Sequence, residues 1–179
     1  MINADPITVT ADAVDELKTY VRLEADDEDA LLFALIATAA AHGEAFTGQA
    51  FLQRGHRDRL AVSNAWQRLG ATPVQAISLV TGLPATGAPF ALAMSAYALD
   101  IDGGGDGWVR VTEPGQAKRV DVTFTAGLAA EWGGLPETIR HGVIRLAAHL
   151  HAVRDAPEDA GPPAIVAALW RPWRRMRLI

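Results

Sequence analysis

The segment 100–107 carries the residue types of a calcium-binding loop. Carboxylates stand at alternate positions and glycines follow them, as in the loop of an EF-hand. The register does not fit, because the fifth position is Gly104 and the twelfth, which needs a bidentate glutamate, is Val111. The sequence therefore predicts a hairpin turn whose glycines adopt positive φ.

The other chemically active residues form no catalytic or ligating pattern. None of the three serines lies in a Gly-x-Ser-x-Gly elbow, and the glycine loop lacks the Lys-Ser/Thr of a phosphate-binding loop. His149 and His151 are two residues apart on a predicted helix, so they point in different directions. Cysteine is absent, which excludes thiolate metal sites. The sequence predicts no catalytic residue, no cofactor, no metal ligand and no enzyme activity.

The last ten residues, 170–179, combine basic and large apolar groups. They hold two tryptophans and four of the sixteen basic residues. Burying apolar surface is worth about 25 cal/mol per Å², so something should cover this tail. Three covers stay open: a protein partner, nucleic acid bound through phosphates and stacking, and the domain itself. A protein partner is favoured, since four charges are a weak nucleic-acid footprint beside a net charge of −5.

Acidic residues concentrate at the other end of the chain. Residues 1–29 hold nine of the 21 acidic residues, including the run Asp26, Asp27, Glu28 and Asp29. The longer stretch from Glu24 to Asp29 can be interpreted as a carboxylate site. The N-cap and first turn of a helix explain it more simply, because the helix dipole favours acids there.

Helices at both ends of the sequence position these groups. Apolar stripes at a period of 3.6 predict helices over 11–22, 29–47 and 136–154, and the second should end at Gly48. Stripes at the two sequence ends can be buried only against each other. The predicted core is formed by Leu32, Ile36, Ile139, Val143 and Leu150.

Strands are predicted between the helices, over 51–125. Apolar and polar residues alternate there at a period of 2, and glycine and proline turns interrupt them, whereas 54–70 has no clear pattern. The predicted fold class is α+β: a small α-helical bundle interrupted by an inserted β-rich segment and followed by an extended C-terminal tail. The predicted domain is 1–157, and a linker and docking tail occupy 158–179.

A series of short pieces follows one order along nearly the whole chain. They are Val14-Asp-Glu-Leu17, Tyr20-Val-Arg-Leu23, the acidic run with Ala30-Leu-Leu32, Ala39-Ala40 with Glu44-Ala-Phe-Thr-Gly48, Pro73-Val74 to Val80, Tyr97-Ala-Leu-Asp100, Val120 to Gly127, Leu135-Pro-Glu137 to Leu150, Arg154-Asp155 and Leu169-Trp-Arg-Pro-Trp-Arg-Arg175. In order and spacing they resemble the head-tail connector (adaptor, head-completion) proteins of long-tailed bacteriophages and phage-derived gene transfer agents. The ending is richer in tryptophan and arginine than is common in that family.

The resemblance implies a mechanical role. Such proteins assemble as a ring, typically of twelve copies, beneath the portal protein, where they extend the DNA channel and carry the next neck or tail protein (stopper or tail terminator). Double-stranded DNA would pass through without specific binding, which suits a net acidic subunit. The expected location is a virion or gene transfer agent particle, reached from the host cytoplasm. No apolar run of about 18 residues and no signal peptide are seen, so no membrane partner is expected.

The two charged ends are the candidate contact sites of this role. The linker 158–163 should detach the tail, which makes it the candidate portal-docking element, and deletion of 170–179 should leave a folded protein. The acidic run 26–29 supplies the inter-subunit candidates, since oppositely charged regions suit a heterologous ring contact. The alternative function is a nucleic-acid-binding accessory protein that uses the tail. The portal-docking candidates are Trp170, Arg171, Trp173, Arg174 and Arg175.

Overall fold

Two hydrophobic cores organise the chain. The computed structural model describes residues 2–153 and 163–175. The first core belongs to Met1–Pro6 and Gln53–Leu128, here termed the sheet unit. The second belongs to Ile7–Leu52 and Ala129–Ile179, here termed the helical unit. Each unit is held together by its own buried side chains.

The sheet unit overturns the predicted fold class. A helical bundle with an inserted β segment is wrong, because the strands form two antiparallel sheets and include an N-terminal strand outside the predicted insertion. The physical reason is that inward residues of the two sheets, such as Val80 and Val109, belong to one hydrophobic cluster of their own. The fold is an α+β mixture in which sheets and helices both build cores.

Eight strands lie in the described part of the sheet unit. The larger sheet has the order β1-β2-β8-β4-β5 and the smaller one the order β3-β7-β6, with every pair antiparallel. The strands are β1 (Ile2–Ala4), β2 (Arg54–Ala61), β3 (Gln67–Arg68), β4 (Val74–Pro84), β5 (Phe90–Ala91), β6 (Tyr97–Ile101), β7 (Gly107–Val111) and β8 (Ala117–Ala126).

The turn between β6 and β7 is the predicted hairpin, which the strand pairing confirms. Asp102 organises it: Oδ1 accepts hydrogen bonds from the amides of Gly104 and Asp106 at 2.8 and 3.0 Å, and Oδ2 accepts one from Trp108 Nε1 at 2.9 Å. Gly105 has a φ of 78°, a conformation that glycine adopts without strain. The carboxylate of Asp102, one of those that suggested a calcium-binding loop, therefore stabilises the turn through hydrogen bonds.

The helical unit contains α1 (Ala11–Val21), α2 (Asp29–Thr47), α3 (Glu137–Ala152) and α4 (Ala164–Trp170). Both α1 and α2 pack on α3, as the stripes predicted, and α4 packs on α3 and α2. Leu32, Ile36, Ile139 and Val143 are fully buried, but Leu150 is only half-buried near the end of α3. Gly48 ends α2 with a φ of 72°, which confirms the predicted stop.

Among the described residues, α2 is the helix that could cross a membrane by length and composition alone. This departs from the expectation that no segment is long and apolar enough. About a third of the window is buried in the protein, and the core helix of a globular unit passes the same test. The finding is therefore a weak indication of a membrane span.

Candidate docking surface

Trp170, the last residue of α4, fills a slot in the helical unit. Its side chain is 0% exposed, and its ring lies 6.1 Å from the ring of Phe46 and 6.2 Å from that of Phe51, measured between centroids. Its Nε1 donates a 3.3 Å hydrogen bond to the carbonyl of Ile139. A Cβ at Gly142 would collide with the indole, and one at Gly43 would meet both Phe51 and the indole. Two glycines thus create the space for this tryptophan.

The burial of Trp170 corrects one of the predicted portal-docking residues. A side chain without exposed surface offers nothing to a partner in this conformation. Of the three covers left open for the tail, the domain itself covers Trp170. The expectation that 170–179 can be deleted without loss of folding is not compatible with this packing.

The residues after Trp170 lie on the surface of the helical unit and are tied to it. Trp173 Nε1 donates to Thr138 Oγ1 at 2.9 Å, and its carbonyl accepts from Gln49 Nε2 at 2.6 Å. The amide of Arg175 donates to the carbonyl of Thr47 at 2.8 Å. These bonds hold the segment 171–175 against the C-terminal end of α2 and the start of α3.

The tail arginines differ in exposure. Arg171 and Arg174 are exposed, and Arg175 is half-buried. The guanidinium carbon of Arg174 lies 5.3 Å from the centroid of the Phe46 ring, within the range of a cation–π contact. The structure therefore brings three predicted arginines together with the half-buried Trp173. Most of the predicted linker, 158–162, and the end of the tail, 176–179, lie outside the described residues.

The acidic run has partners within the helical unit. Lys18 Nζ lies 2.6 Å from Asp26 Oδ1 and 2.5 Å from Asp29 Oδ1, and hydrogen bonds to these two acids raise the pKa of Lys18 to about 12. The hydrogen bond from Lys18 also lowers the pKa of Asp26. Glu28 Oε2 lies 2.9 Å from His151 Nε2. Asp27 is the member of the run that stays exposed and makes no ion pair with another described residue.

The role of Lys18 was not predicted from the sequence. Its position one turn before the end of α1, ahead of four acids, is a signal that could have indicated an ion pair. Within the described ranges, no group of three or more His, Asp or Glu side chains is arranged to hold a metal ion. His141 accepts a 2.7 Å hydrogen bond from Arg145 Nε, one turn along α3.

Two ionisable side chains, His56 and Asp58, point into the core of the sheet unit. They are 4% and 3% exposed on the inward face of β2. The ring of His56 stacks on Phe124 at 5.5 Å between centroids, and Asp58 Oδ2 accepts a 2.5 Å hydrogen bond from the amide of Gly70. Burial raises the pKa of Asp58, against the lowering effects of that hydrogen bond and of His56.

We expect Asp58→Asn to stabilise the protein at neutral pH. A carboxyl group whose pKa is raised on folding favours the folded state at low pH and loses that contribution as the pH rises through the folded pKa. The amide carries no charge and can still accept the hydrogen bond from Gly70. The gain should be complete above the folded pKa and vanish near the ordinary value of 3.8. Thermal melts of both proteins from about pH 4 to 8 measure it; an equal destabilisation at every pH would contradict the burial argument.

Solved structures resemble this chain, whereas no protein-family model and no curated protein matches it. A chain from the neck of an empty gene transfer agent particle, with C6 symmetry, has 27% sequence identity and a TM-score of 0.80, and the match covers 100% of this chain and 97% of that one. The chain is similar to a neck protein over its whole length.

Two further structures agree with this likeness. One is the virion of a native gene transfer agent particle, at 26% identity and a TM-score of 0.76, covering 100% of this chain and 97% of the other. The other is the neck of a native particle with C12 symmetry, at 26% identity and a TM-score of 0.73, covering 99% and 97%.

These likenesses confirm the resemblance to the head-tail connector family, gene transfer agent adaptors included, and the expected location in a particle. They support a structural component at the neck, with no enzymatic role suggested by the similar chains. The C6 and C12 symmetries of the neck structures support a homo-oligomeric ring.

Proposed function

We propose that this protein is the head-tail connector, or adaptor, of a gene transfer agent or related tailed particle. It forms a ring under the portal, extends the DNA channel, and joins the head to the next neck or tail protein. The observation that carries the proposal is the full-length likeness to chains of gene transfer agent necks. A ring of twelve copies is compatible with both symmetries of those structures.

The charge of the chain suits a channel through which DNA slides. A protein that grips duplex DNA neutralises many phosphates with lysine and arginine, and its affinity falls steeply with salt. This chain has a net charge of −5. Strong salt-dependent DNA binding by the purified protein would instead favour the alternative, an accessory protein that binds nucleic acid through the tail.

The docking element that we propose for the portal is the surface segment formed by Arg171, Trp173, Arg174 and Arg175. Its backbone is fixed to the helical unit, so little backbone conformational entropy is lost on binding and the entropic cost comes mainly from the arginine side chains. Guanidinium groups form forked hydrogen bonds with carboxylates, which a portal surface can supply. Trp170 acts behind this segment by holding α4 in place.

The test reverses the charge of the two exposed arginines, Arg171 and Arg174. We expect Arg171→Glu with Arg174→Glu to leave a folded protein that no longer attaches to DNA-filled heads, because repulsion replaces the ion pairs. The matched control, Arg171→Lys with Arg174→Lys, keeps the charge and loses the fork, so it should bind more weakly but still bind. Counting tailed and tailless particles by electron microscopy gives the readout.

The possible outcomes distinguish an error in the proposed docking segment from an error in the proposed connector function. If the charge-reversed protein folds and heads still gain tails, docking lies elsewhere, for example on the acidic surface of residues 12–29. If the wild-type protein does not form rings on portal complexes at all, the connector function itself is wrong. A melting curve of each variant shows whether loss of tails reflects loss of folding.

A further inference from the structure

One face of the five-stranded sheet is left open in the sheet unit. The register places Arg57, Thr123 and Leu79 side by side across β2, β8 and β4, and Arg59, Asp121 and Thr81 in the next row. Ala61, Arg119 and Leu83 form a third row. These three rows are termed the outer sheet face. Its opposite face carries the buried core of the unit.

Arg59 and Asp121 fix the middle of the outer sheet face. Arg59 Nε and Nη2 donate to the two carboxylate oxygens of Asp121, both at 2.8 Å. Hydrogen bonding from Arg59 lowers the pKa of Asp121, and the charge of Arg57 contributes. Asp121, the acidic residue in these three rows, is therefore already paired with Arg59.

Arg57 and Arg119 remain as exposed cations on either side of this pair. Within the described part of the chain, neither side chain makes a hydrogen bond or a close ion pair, although the charge of Arg57 acts on Asp121 from a distance. They lie two rows apart, which corresponds to roughly 13 Å along the strands. No charged residue occurs between Arg68 and Asp100, so β4 cannot supply an acid to this face. Among the described residues no acid forms an ion pair with these two arginines, so both are available to the acids of another molecule.

The composition of the outer sheet face is that of a protein interface. Arginine is enriched in interfaces and lysine depleted, and this face holds three arginines and no lysine. Leu79, in the same row as Arg57, is 47% exposed. A merely solvated sheet face explains the threonines. The three arginines and the exposed Leu79 together favour an interface.

A second copy of the chain carries the matching charge. Residues 12–29 hold eight acidic and two basic residues, a net charge of −6. Asp12, Asp15, Glu24 and Asp27 are exposed there and make no ion pair among the described residues, whereas Lys18 already holds Asp26 and Asp29. A ring needs two different faces that match each other, because its contacts are heterologous. DNA is the weaker candidate, since two cations neutralise few phosphates.

We propose that the outer sheet face of one copy docks on the acidic segment 12–29 of the next copy, and that this contact closes the ring. The inference rests on the proposed connector function, since it names the partner surface within that ring. Arg57 and Arg119 pair with the exposed acids, and the neighbouring copy covers Leu79, which lies in the same row as Arg57.

The test uses full-length protein, purified portal rings and two charge-reversed variants. The first is Arg57→Glu with Arg119→Glu; the second is Asp15→Lys with Glu24→Lys and Asp27→Lys. The first variant alone sets glutamates against the acidic segment; the second brings the net charge of 12–29 from −6 to 0 and sets three lysines against the arginines. We therefore expect the yield of closed rings to fall by more than about tenfold for each variant alone. An equimolar mixture of the two should restore rings, because the variants can alternate around an even-numbered ring. Lys118→Glu, one residue from Arg119 on β8, is the matched control and should assemble like the wild type.

Negative-stain microscopy and mass photometry count the rings. Wild-type assembly by both variants, or failure of the mixture to restore rings while each variant melts like the wild type, overturns the proposed contact. If the sheet variant loses salt-dependent binding to a DNA duplex while its rings persist, the face is a nucleic-acid surface and the contact is also wrong. Absence of rings from the wild-type protein would instead count against the connector function.

Discussion

Trp170→Ala should lower the free energy of unfolding by about 3–5 kcal/mol. The side chain is fully buried in a slot whose walls are the backbones of two helices at Gly43 and Gly142. Helix backbones cannot move in to fill the space, so the loss includes a cavity as well as the lost burial. The carbonyl of Ile139 also loses the indole as a donor. Urea unfolding, followed by circular dichroism, measures the effect.

Trp66→Ala is the matched control, since that tryptophan is 42% exposed and lies over Arg110. It should cost no more than about 1 kcal/mol. Truncation before residue 170 should destabilise the protein at least as much as Trp170→Ala. A truncated protein as stable as the wild type would show that the tail does not belong to the core and would restore the interpretation of the whole tail as a docking element.

The helices of this protein could be read from its sequence almost to the residue. Amphipathic stripes and a glycine stop predicted 29–47, which is the observed α2, because both signals are local. The tail shows the limit of such signals. Its apolar composition predicted that something must bury the two tryptophans, but not what. The slot for Trp170 depends on Gly43 and Gly142, which are far apart in the sequence and adjacent only in the fold.

The sheet unit was only partly predictable, for a related reason. The β6–β7 hairpin and β8 follow from alternation of apolar and polar residues. The strand β2 was not predicted because its buried positions include His56 and Asp58. The alternation of apolar and polar residues that marks a half-buried strand is therefore absent there. β1 pairs with β2 across about fifty residues of chain, and nothing local marks it. The charge pairing by Lys18 likewise depends on the turn between α1 and α2.

Phe124→Ala should lower the free energy of unfolding of the sheet unit by about 3–5 kcal/mol. Phe124 is 1% exposed, lies on the inward face of β8 and stacks on His56. Its loss opens a cavity beside the ring of His56, which would then lack its apolar cover. Hydrogen exchange of the β2 and β8 amides, together with urea unfolding, reports on this unit.

Phe90→Ala is the control in the same unit, because Phe90 is 36% exposed on the short edge strand β5 and removal of its ring leaves no closed cavity. We expect it to cost less than half as much as Phe124→Ala, since the transfer term is partial and the cavity term is absent. The comparison tests whether the strands have a core of their own. If the two substitutions have similar small effects and the β2 amides keep their protection, the sheets are not held by this cluster.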